Sequence, residues 1–398
     1  MQFRHMKKID QKVSALGFGV MRLAGRGGMM RLRVDEKRAI TAIRRGIELG
    51  INYFDTAYIY HLGASERILG QALRDGYRQK VLVADKLPMI LMRRPEDFSR
   101  FLETQLKRLG TDHIDFYLFH SMNRAYLKKM RDFDLLPKME DARRRGLIRY
   151  IGFSFHDTLP IFKEVIDAYA WDMTQIQYNY LDTGVQATTE GLKYAYAKGI
   201  PVVVMEGLRG GKLANPPMEA LQAMRDGSSS RTPVDWAFQF LWNQEEVTTV
   251  LSGMNSAAMV EENCRYADRS GVGTLTGKDQ EVIRKLVDVY RQKILVGCTA
   301  CNYCMPCPHG VNIPESFAQL NMSNGPRGLQ SWLIRRNYGR LASRRDRVNR
   351  AVPNGNASLC TQCKVCVPQC PQGIDIPTEL AKVDLVLGKR RRIEEVFG

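Results

Sequence analysis

Over the first 290 residues, short β-branched or aromatic runs alternate with amphipathic stretches rich in Ala, Leu, Glu, Lys and Arg. The runs predict strands at SALGFG (14–19), INYFDTA (51–57), KVLVADK (80–86), HIDFYLFH (113–120), IRYIGFSF (148–155), MTQIQYN (173–179), IPVVVME (200–206) and VTTVLSGM (247–254). Between them the 3.6-residue period predicts helices over 35–50, 64–76, 95–110 and 188–199, each closing on Gly. Strands separated by helices pair in parallel, and eight such units in roughly 250 residues match an α/β fold, the closed (β/α)8 TIM barrel. An open doubly wound sheet is the alternative, but its G-x-G-x-x-G turn is missing from GFGVMRLAG (17–25). The segment FRHMKKIDQKV (3–13) suits a short hairpin closing the barrel floor. After residue 290 the alternation stops. The chain therefore reads as a barrel (1–290) followed by a smaller, mainly helical domain (291–398), with no internal repeat beyond two groups of cysteines.

Hydrophobic residues at 44% and charged residues at 25% are ordinary for a folded globular chain, which excludes disordered, collagen-like and coiled-coil classes. The N-terminus lacks an apolar export segment, and runs such as IPVVVM (200–205) are far below the ~18 residues of a membrane span. A cytoplasmic protein without membrane contact is expected.

The cysteines change the picture more. Eight of nine lie between Cys298 and Cys370, leaving Cys264 as a core thiol in the helix after the eighth strand. A disulfide framework belongs to short secreted chains, so metal-binding thiolates are the better reading. Cys360, Cys363, Cys366 and Cys370, with Pro371 following, have the C-x2-C-x2-C-x3-C-P spacing of bacterial [4Fe–4S] ferredoxins. Cys298, Cys301, Cys304 and Cys307 repeat it with one residue fewer in the last gap. The ligand exchange of two-cluster ferredoxins implies one cluster on Cys298, Cys301, Cys304 and Cys370, and a second on Cys360, Cys363, Cys366 and Cys307. Four-thiolate zinc is the main rival, although it does not explain triplets followed by Cys-Pro. A single cluster with one degenerate group also stays open because of the short gap. The long spacer, including LQSWLIRRNYGRLASRRDRVNRAV (329–352), favours a helical two-cluster domain over a compact βαββαβ ferredoxin.

Four polar residues fall at or just beyond strand C-termini, the active-site face of such a barrel: Asp55, Tyr60, Lys86 and His120. A cationic Lys near a Tyr favours the phenolate and makes the hydroxyl a usable acid at neutral pH. A buried Asp keeps that Lys charged, and His120 can orient a carbonyl. Each alone also fits a bland role as a turn, half-buried aromatic, solvated strand end or core histidine; it is their convergence that reads as a site. His156 suits either the pocket rim or a turn.

FDTAYIY (54–60), ASERILGQAL (64–73), VADK (83–86), IDFYLFH (114–120), GLIRYIGFSFHD (146–157), QIQYNYL (175–181) and SGMNSAAMVEEN (252–263) together resemble the aldo-keto reductases over nearly all of residues 1–290. The resemblance implies a catalytic tetrad of Asp55, Tyr60, Lys86 and His120, with Tyr60 as general acid and a hydride from NAD(P)H. It places Ser154 and Gln175 at the nicotinamide carboxamide. It further places Met205, Gly207, Leu208, Arg209 and Lys212, and Ser252, Gly253 and Asn263, along the phosphates and adenosine. Phe155, Met205, Gly253 and Met259 depart from the family's Asn, aromatic, Lys and Arg. Gly and Met make no charged phosphate contact, so NAD and NADP both stay open, with Arg209, Lys212 and Arg265 as substitute cations. The chain as a whole resembles the prokaryotic iron–sulfur branch of the family.

The implied function is oxidoreduction of a small carbonyl, sugar or cyclitol. A hydride carries two electrons and a [4Fe–4S] centre passes one, so direct exchange needs an intermediary. The alternative is an electron-transfer enzyme with a flavin in the barrel and an acidic ferredoxin or flavodoxin as partner. The net charge of +17 supports that partner by steering. Residues 290–398 hold 16 Lys and Arg against 7 Asp and Glu, +9 of the total, and two clusters at a formal −2 each offset about four units. Nucleic-acid binding through the basic runs 335–350 and 389–392 lacks any accompanying fold signature.

Overall fold

The computed structural model describes residues 1–26, 33–227, 231–324, 329–343 and 355–398, so the basic stretch 344–350 lies outside the described residues. Two compact units are present: residues 1–215 with 224–281, and residues 216–223 with 282–398.

The first unit is a closed barrel of eight parallel strands. They are β1 (Leu16–Gly19), β2 (Tyr53–Asp55), β3 (Leu82–Leu87), β4 (Ile114–Met122), β5 (Ile148–Phe155), β6 (Met173–Gln177), β7 (Val202–Met205) and β8 (Val247–Ser252). Each pairs with its neighbours in sequence, and β8 closes on β1 with Leu251 opposite Gly17. Every residue of β2 and β3 is buried, the expected pattern for parallel strands covered on both faces. The covering helices bury one stripe each. Helix Glu36–Glu48, capped by the Asp35 side chain accepting from Arg38 N–H at 3.0 Å, turns Ala39, Ala42, Ile43, Gly46 and Ile47 inward. Gly152 is required in β5, because a Cβ there would lie 2.6 Å from the Met173 carbonyl oxygen.

The N-terminal segment forms an antiparallel hairpin, Phe3–Met6 with Gln11–Ser14. Its Met6 and Val13 pack with Tyr53, Leu82, Ala84, Phe116, Leu118, Met173 and Val203, the apolar lower interior of the barrel. Because strand side chains repeat every two residues, moving two positions along from Tyr53, Ala84, Leu118, Met173 and Val203 reaches Asp55, Lys86, His120, Gln175 and Met205. The barrel interior is thus apolar below and polar in its top layer.

The second unit is helical, with helices Ile313–Ser323, Leu329–Ser343, Ile376–Val383 and Ile393–Phe397. Its core includes Val296, Phe317, Leu320, Tyr338, Leu380, Val383 and Leu387, with six of the cysteines packed against it. Contrary to the sequence expectation, the internal repeat extends past the cysteines. Cys307-Pro-His-Gly-Val-Asn-Ile-Pro and Cys370-Pro-Gln-Gly-Ile-Asp-Ile-Pro follow the same path. In both, a left-handed Gly (Gly310 and Gly373) is followed by an N-cap (Asn312 and Asp375) and a helix with Pro in its first turn. The repeat is hard to read in the sequence because only its turn residues and its Ile-Pro step recur.

Candidate active site and metal centre

Four of the top-layer side chains and Tyr60 form the site. Lys86 Nζ donates to Asp55 Oδ1 at 2.6 Å and to the Thr56 carbonyl at 2.7 Å. Gln175 Nε2 donates to the other Asp55 oxygen at 2.6 Å. Lys86 is 1% exposed and Asp55 4%. Desolvation costs several kcal/mol per ion, so a buried pair of this kind is a poor device for stability and a good one for holding a charge in place.

Tyr60 begins a 3₁₀ turn, Tyr60–Gly63, in which His61, Leu62 and Gly63 are all left-handed. That turn sets the phenol over the pair, with Lys86 Nζ 5.3 Å from the ring centroid and the His120 ring edge-on to it at 5.9 Å. Burial, reinforced by the Lys86 cation and His156, pushes the His120 imidazole well below its usual range, so it is neutral at pH 7. Burial and Lys86 likewise push half-buried His156 down to about 4, against the raising effect of the hydrogen bond between its Nδ1 and the acceptor Gln186 Oε1 at 3.2 Å. His156 therefore stands beside the pocket.

Behind Lys86, on the outer side of β3, lies a second buried network. Asp85 Oδ1 accepts the Lys86 N–H at 2.8 Å, and Gln105 Nε2 donates to the Lys86 carbonyl at 3.1 Å. Asp85 and Glu66 are fully buried neighbours, and Arg108 pairs with Glu66 at 2.6 Å while reaching the Tyr58 carbonyl at 3.4 Å. Burial and mutual repulsion push the Asp85 carboxyl well up, so the pair holds a proton. Nothing in the sequence reading singled out these residues.

The residues expected at the cofactor are distributed as follows. Ser154 lies in register with Gln175, and its Oγ accepts the Ser121 N–H at 2.8 Å. Gln175 Oε1 is buried without a partner, which fits a carboxamide donor from a ligand. Met205 ends β7 half-buried, and Gly207, Leu208 and Lys212 follow on the loop. Arg209 is turned onto Asp182 at 3.0 Å instead of outward. Asn263 donates to Ser252 Oγ at 3.1 Å, and Gly253 backs onto Arg22. Arg265 is exposed. Cys264 is a buried thiol pushed up to about 11.

In the second unit the residues between cysteines adopt the same turns twice. Ala300 and Gln362 have φ of 55° and 56°, and Asn302 and Lys364 have 65° and 60°. Cys298, Cys301, Cys304 and Cys370 line one cavity, with Ile313, Phe317 and Ile376 behind them. Cys366 feels Cys307, Cys360 and Cys363, and with burial they push its thiol up to about 11. The cavity's grouping of Cys298, Cys301 and Cys304 with Cys370 is the one that the crosswise exchange implies. Neutral thiols crowded this way fit a cationic iron core, which offsets the repulsion among thiolates. Among the described residues no three His, Cys, Asp or Glu converge on a single ion. Thiols spaced around a cavity suit a cubane better than the short-range tetrahedron of zinc.

A parallel eight-stranded barrel with a Lys–Asp pair under a Tyr is the framework of a barrel oxidoreductase. The description "Aldo/keto reductase family" matches residues 15–278, and the chain belongs to that family. A 4Fe-4S dicluster domain matches residues 297–375, so the protein is an aldo-keto reductase-type oxidoreductase carrying an iron–sulfur domain. It is 28% identical to L-galactose dehydrogenase of Arabidopsis thaliana, over 72% of this chain and 93% of the relative. It is 29% identical to NADH-specific methylglyoxal reductase of Escherichia coli, over 52% and 69% respectively. Aldo-keto reductase AKR11C1 from Bacillus halodurans in its holo form superposes with a TM-score of 0.60 at 27% identity, covering 72% of this chain and 96% of that one. Among the described residues, no helix is long and apolar enough to cross a membrane.

Proposed function

We propose that the barrel (1–290) reduces the carbonyl of a small molecule, or oxidises the corresponding alcohol, with NAD(P), and that domain 291–398 holds two [4Fe–4S] clusters. The buried 2.6 Å Asp55–Lys86 pair beneath Tyr60 is the observation that carries this reading. A reduced nicotinamide supplies the hydride when bound. Tyr60 Oη delivers the proton to the carbonyl oxygen, and Lys86 favours the phenolate left behind. Asp55 holds Lys86 in place through their 2.6 Å hydrogen bond, and neutral His120 offers a ring nitrogen to the same oxygen. Gln175, fixed by Asp55 through its amide nitrogen, presents its free oxygen to the carboxamide, with Ser154 beside it. Similarity to a sugar dehydrogenase and a methylglyoxal reductase supports a sugar or small carbonyl as substrate.

The clusters shape and stabilise the second domain, since a one-electron centre does not take up a hydride. Their thiolate ligands need a reducing compartment, which favours the cytoplasm. The test is Tyr60→Phe. Its NAD(P)H oxidation across aldehydes, ketoses and cyclitols should fall by about 10²–10⁴ with the fold intact. Retained turnover would remove Tyr60 as the acid.

A further inference from the structure

The turn that carries Tyr60 is strained. His61 and Leu62, consecutive residues with side chains, hold left-handed φ of 51° and 55°. Such backbone persists only where its surroundings fix it. Part of that fixing comes from Arg108, on helix Asp97–Leu109 outside the barrel. Its guanidinium lies over the Tyr58 ring at 4.3 Å and reaches the Tyr58 carbonyl at 3.4 Å. It also sits so close to Gly63 that an added Cβ there would meet Arg108 Cζ at 2.6 Å. Arg108 therefore touches the residue two before Tyr60 and the residue three after it. Gly70 makes room for the same residue from the other side, since an added Cβ would run into the Leu109 carbonyl and crowd that of Arg108.

Arg108 is itself anchored. Its Nη1 pairs at 2.6 Å with Glu66, whose carboxylate is fully buried on helix Ala64–Ala72, the continuation of the Tyr60 turn. The other Glu66 oxygen and Asp85 Oδ2 find no donor but each other's proton, and Asp85 Oδ1 accepts the Lys86 N–H at 2.8 Å. One buried chain thus runs from the Tyr60 turn through Arg108, Glu66 and Asp85 to the backbone of Lys86. We propose that Arg108 is a positioning residue for the catalytic acid, clamping the Tyr60 turn against the Lys86 strand from outside the barrel. The inference rests on the reading of Tyr60 as the acid, and adds to it a residue that touches neither substrate nor cofactor. A planar guanidinium grips ring, carbonyl and carboxylate at once, whereas an ammonium keeps the charge and loses the fork.

The test reads Tyr60 itself. Fluorotyrosine is placed at position 60 of the full-length, cluster-loaded chain, and its titration is followed by fluorine NMR in that chain, in Arg108→Lys and in Val165→Ala, a buried core truncation on the helix between β5 and β6. Arg108→Lys should move the midpoint upward by about one pH unit, because the phenol is held less firmly beside the Lys86 cation. It should also lower kcat for methylglyoxal with NADH by about 10- to 100-fold, with the KM for NADH changed by less than about twofold. Val165→Ala should lower thermal stability and move neither. An unchanged midpoint in folded Arg108→Lys overturns the proposal, and so does an equal shift in Val165→Ala, which would make the effect one of general loosening. If Arg108→Lys fails to fold, Arg108→Gln, which keeps donors for Glu66 and the Tyr58 carbonyl, replaces it under the same criteria. Failure of the wild type to reduce methylglyoxal counts against the substrate reading alone, and the titration then decides. A shifted midpoint with Tyr60→Phe still active would keep the clamp and defeat the reading of Tyr60 as the acid.

Discussion

The barrel and the cysteine-bearing unit reach an organised site by opposite routes. In the barrel, strand register alone stacks Asp55, Lys86, His120 and Gln175 above an apolar floor, and buried hydrogen bonds hold them. In the second unit the side chains that matter pack against the core and are largely its unmade contacts. Seven of the eight cysteines are half-buried and Cys363 is exposed, several of them packed against the described core around Phe317, Leu320, Tyr338 and Leu380. Metal bound to thiols at the edge of that core would supply part of this unit's folding free energy. One site is preorganised by the backbone; the other is completed by its ligand.

The largest expected effect separates the two. Anaerobic removal of iron, or Cys304→Ala, should abolish the cooperative unfolding transition of residues 282–398 while leaving that of the barrel in place, as read by calorimetry. A single transition lost as a whole would erase the contrast. Next, Lys86→Met should lower turnover by at least about 10²-fold and, by leaving the buried Asp55 carboxylate without its counter-ion, cost about 3–5 kcal/mol, whereas Lys86→Met combined with Asp55→Asn should recover most of the stability and none of the turnover. Stopped-flow turnover alongside circular dichroism separates the two effects.

Smaller still is the network behind Lys86. Asp85→Ala removes the side-chain acceptor of the Lys86 N–H and leaves Glu66 with Arg108 alone, and should cost about 2–4 kcal/mol in denaturant unfolding. Asp85→Asn keeps an acceptor for that N–H and a donor toward Glu66, so it should cost under about 1 kcal/mol. Equal losses would mean that no proton is shared there.

The smallest effect is on pH dependence. His156 is lowered in the folded state, so the unfolded chain binds its proton first. Its contribution is complete above about 6.5 and is lost as pH falls toward about 4, at most about 3 kcal/mol. His156→Asn should flatten the stability profile in that window relative to wild type; an unchanged slope would place the imidazole in water.

Much of this was legible in the sequence. The eight strands read correctly because parallel strands buried on both faces must be β-branched or aromatic runs. Asp55, Lys86 and His120 read as site residues because they end such runs. The cysteine spacing carried the metal reading for a similar reason, since a cluster imposes a local pattern. What escaped depends on distance along the chain. Asp85 gains meaning only from Glu66 and Arg108, neighbours that the barrel brings together and no local pattern announces. The second repeat escaped because the shared Cys-Pro-x-Gly-x-x-Ile-Pro residues lie far apart in the chain and gain their meaning only from a common backbone path, a left-handed Gly followed by a helix with Pro in its first turn.

The polar top layer of the barrel is proposed to direct a hydride from nicotinamide to a carbonyl carbon. The decisive measurement gives the cluster-loaded enzyme NAD(P)H with deuterium in both C4 positions of the nicotinamide, together with an aldehyde or ketose, and reads the alcohol by mass spectrometry. Deuterium is expected on the carbinol carbon, with Tyr60→Phe forming the labelled product far more slowly. Alcohol formed without the label would contradict it.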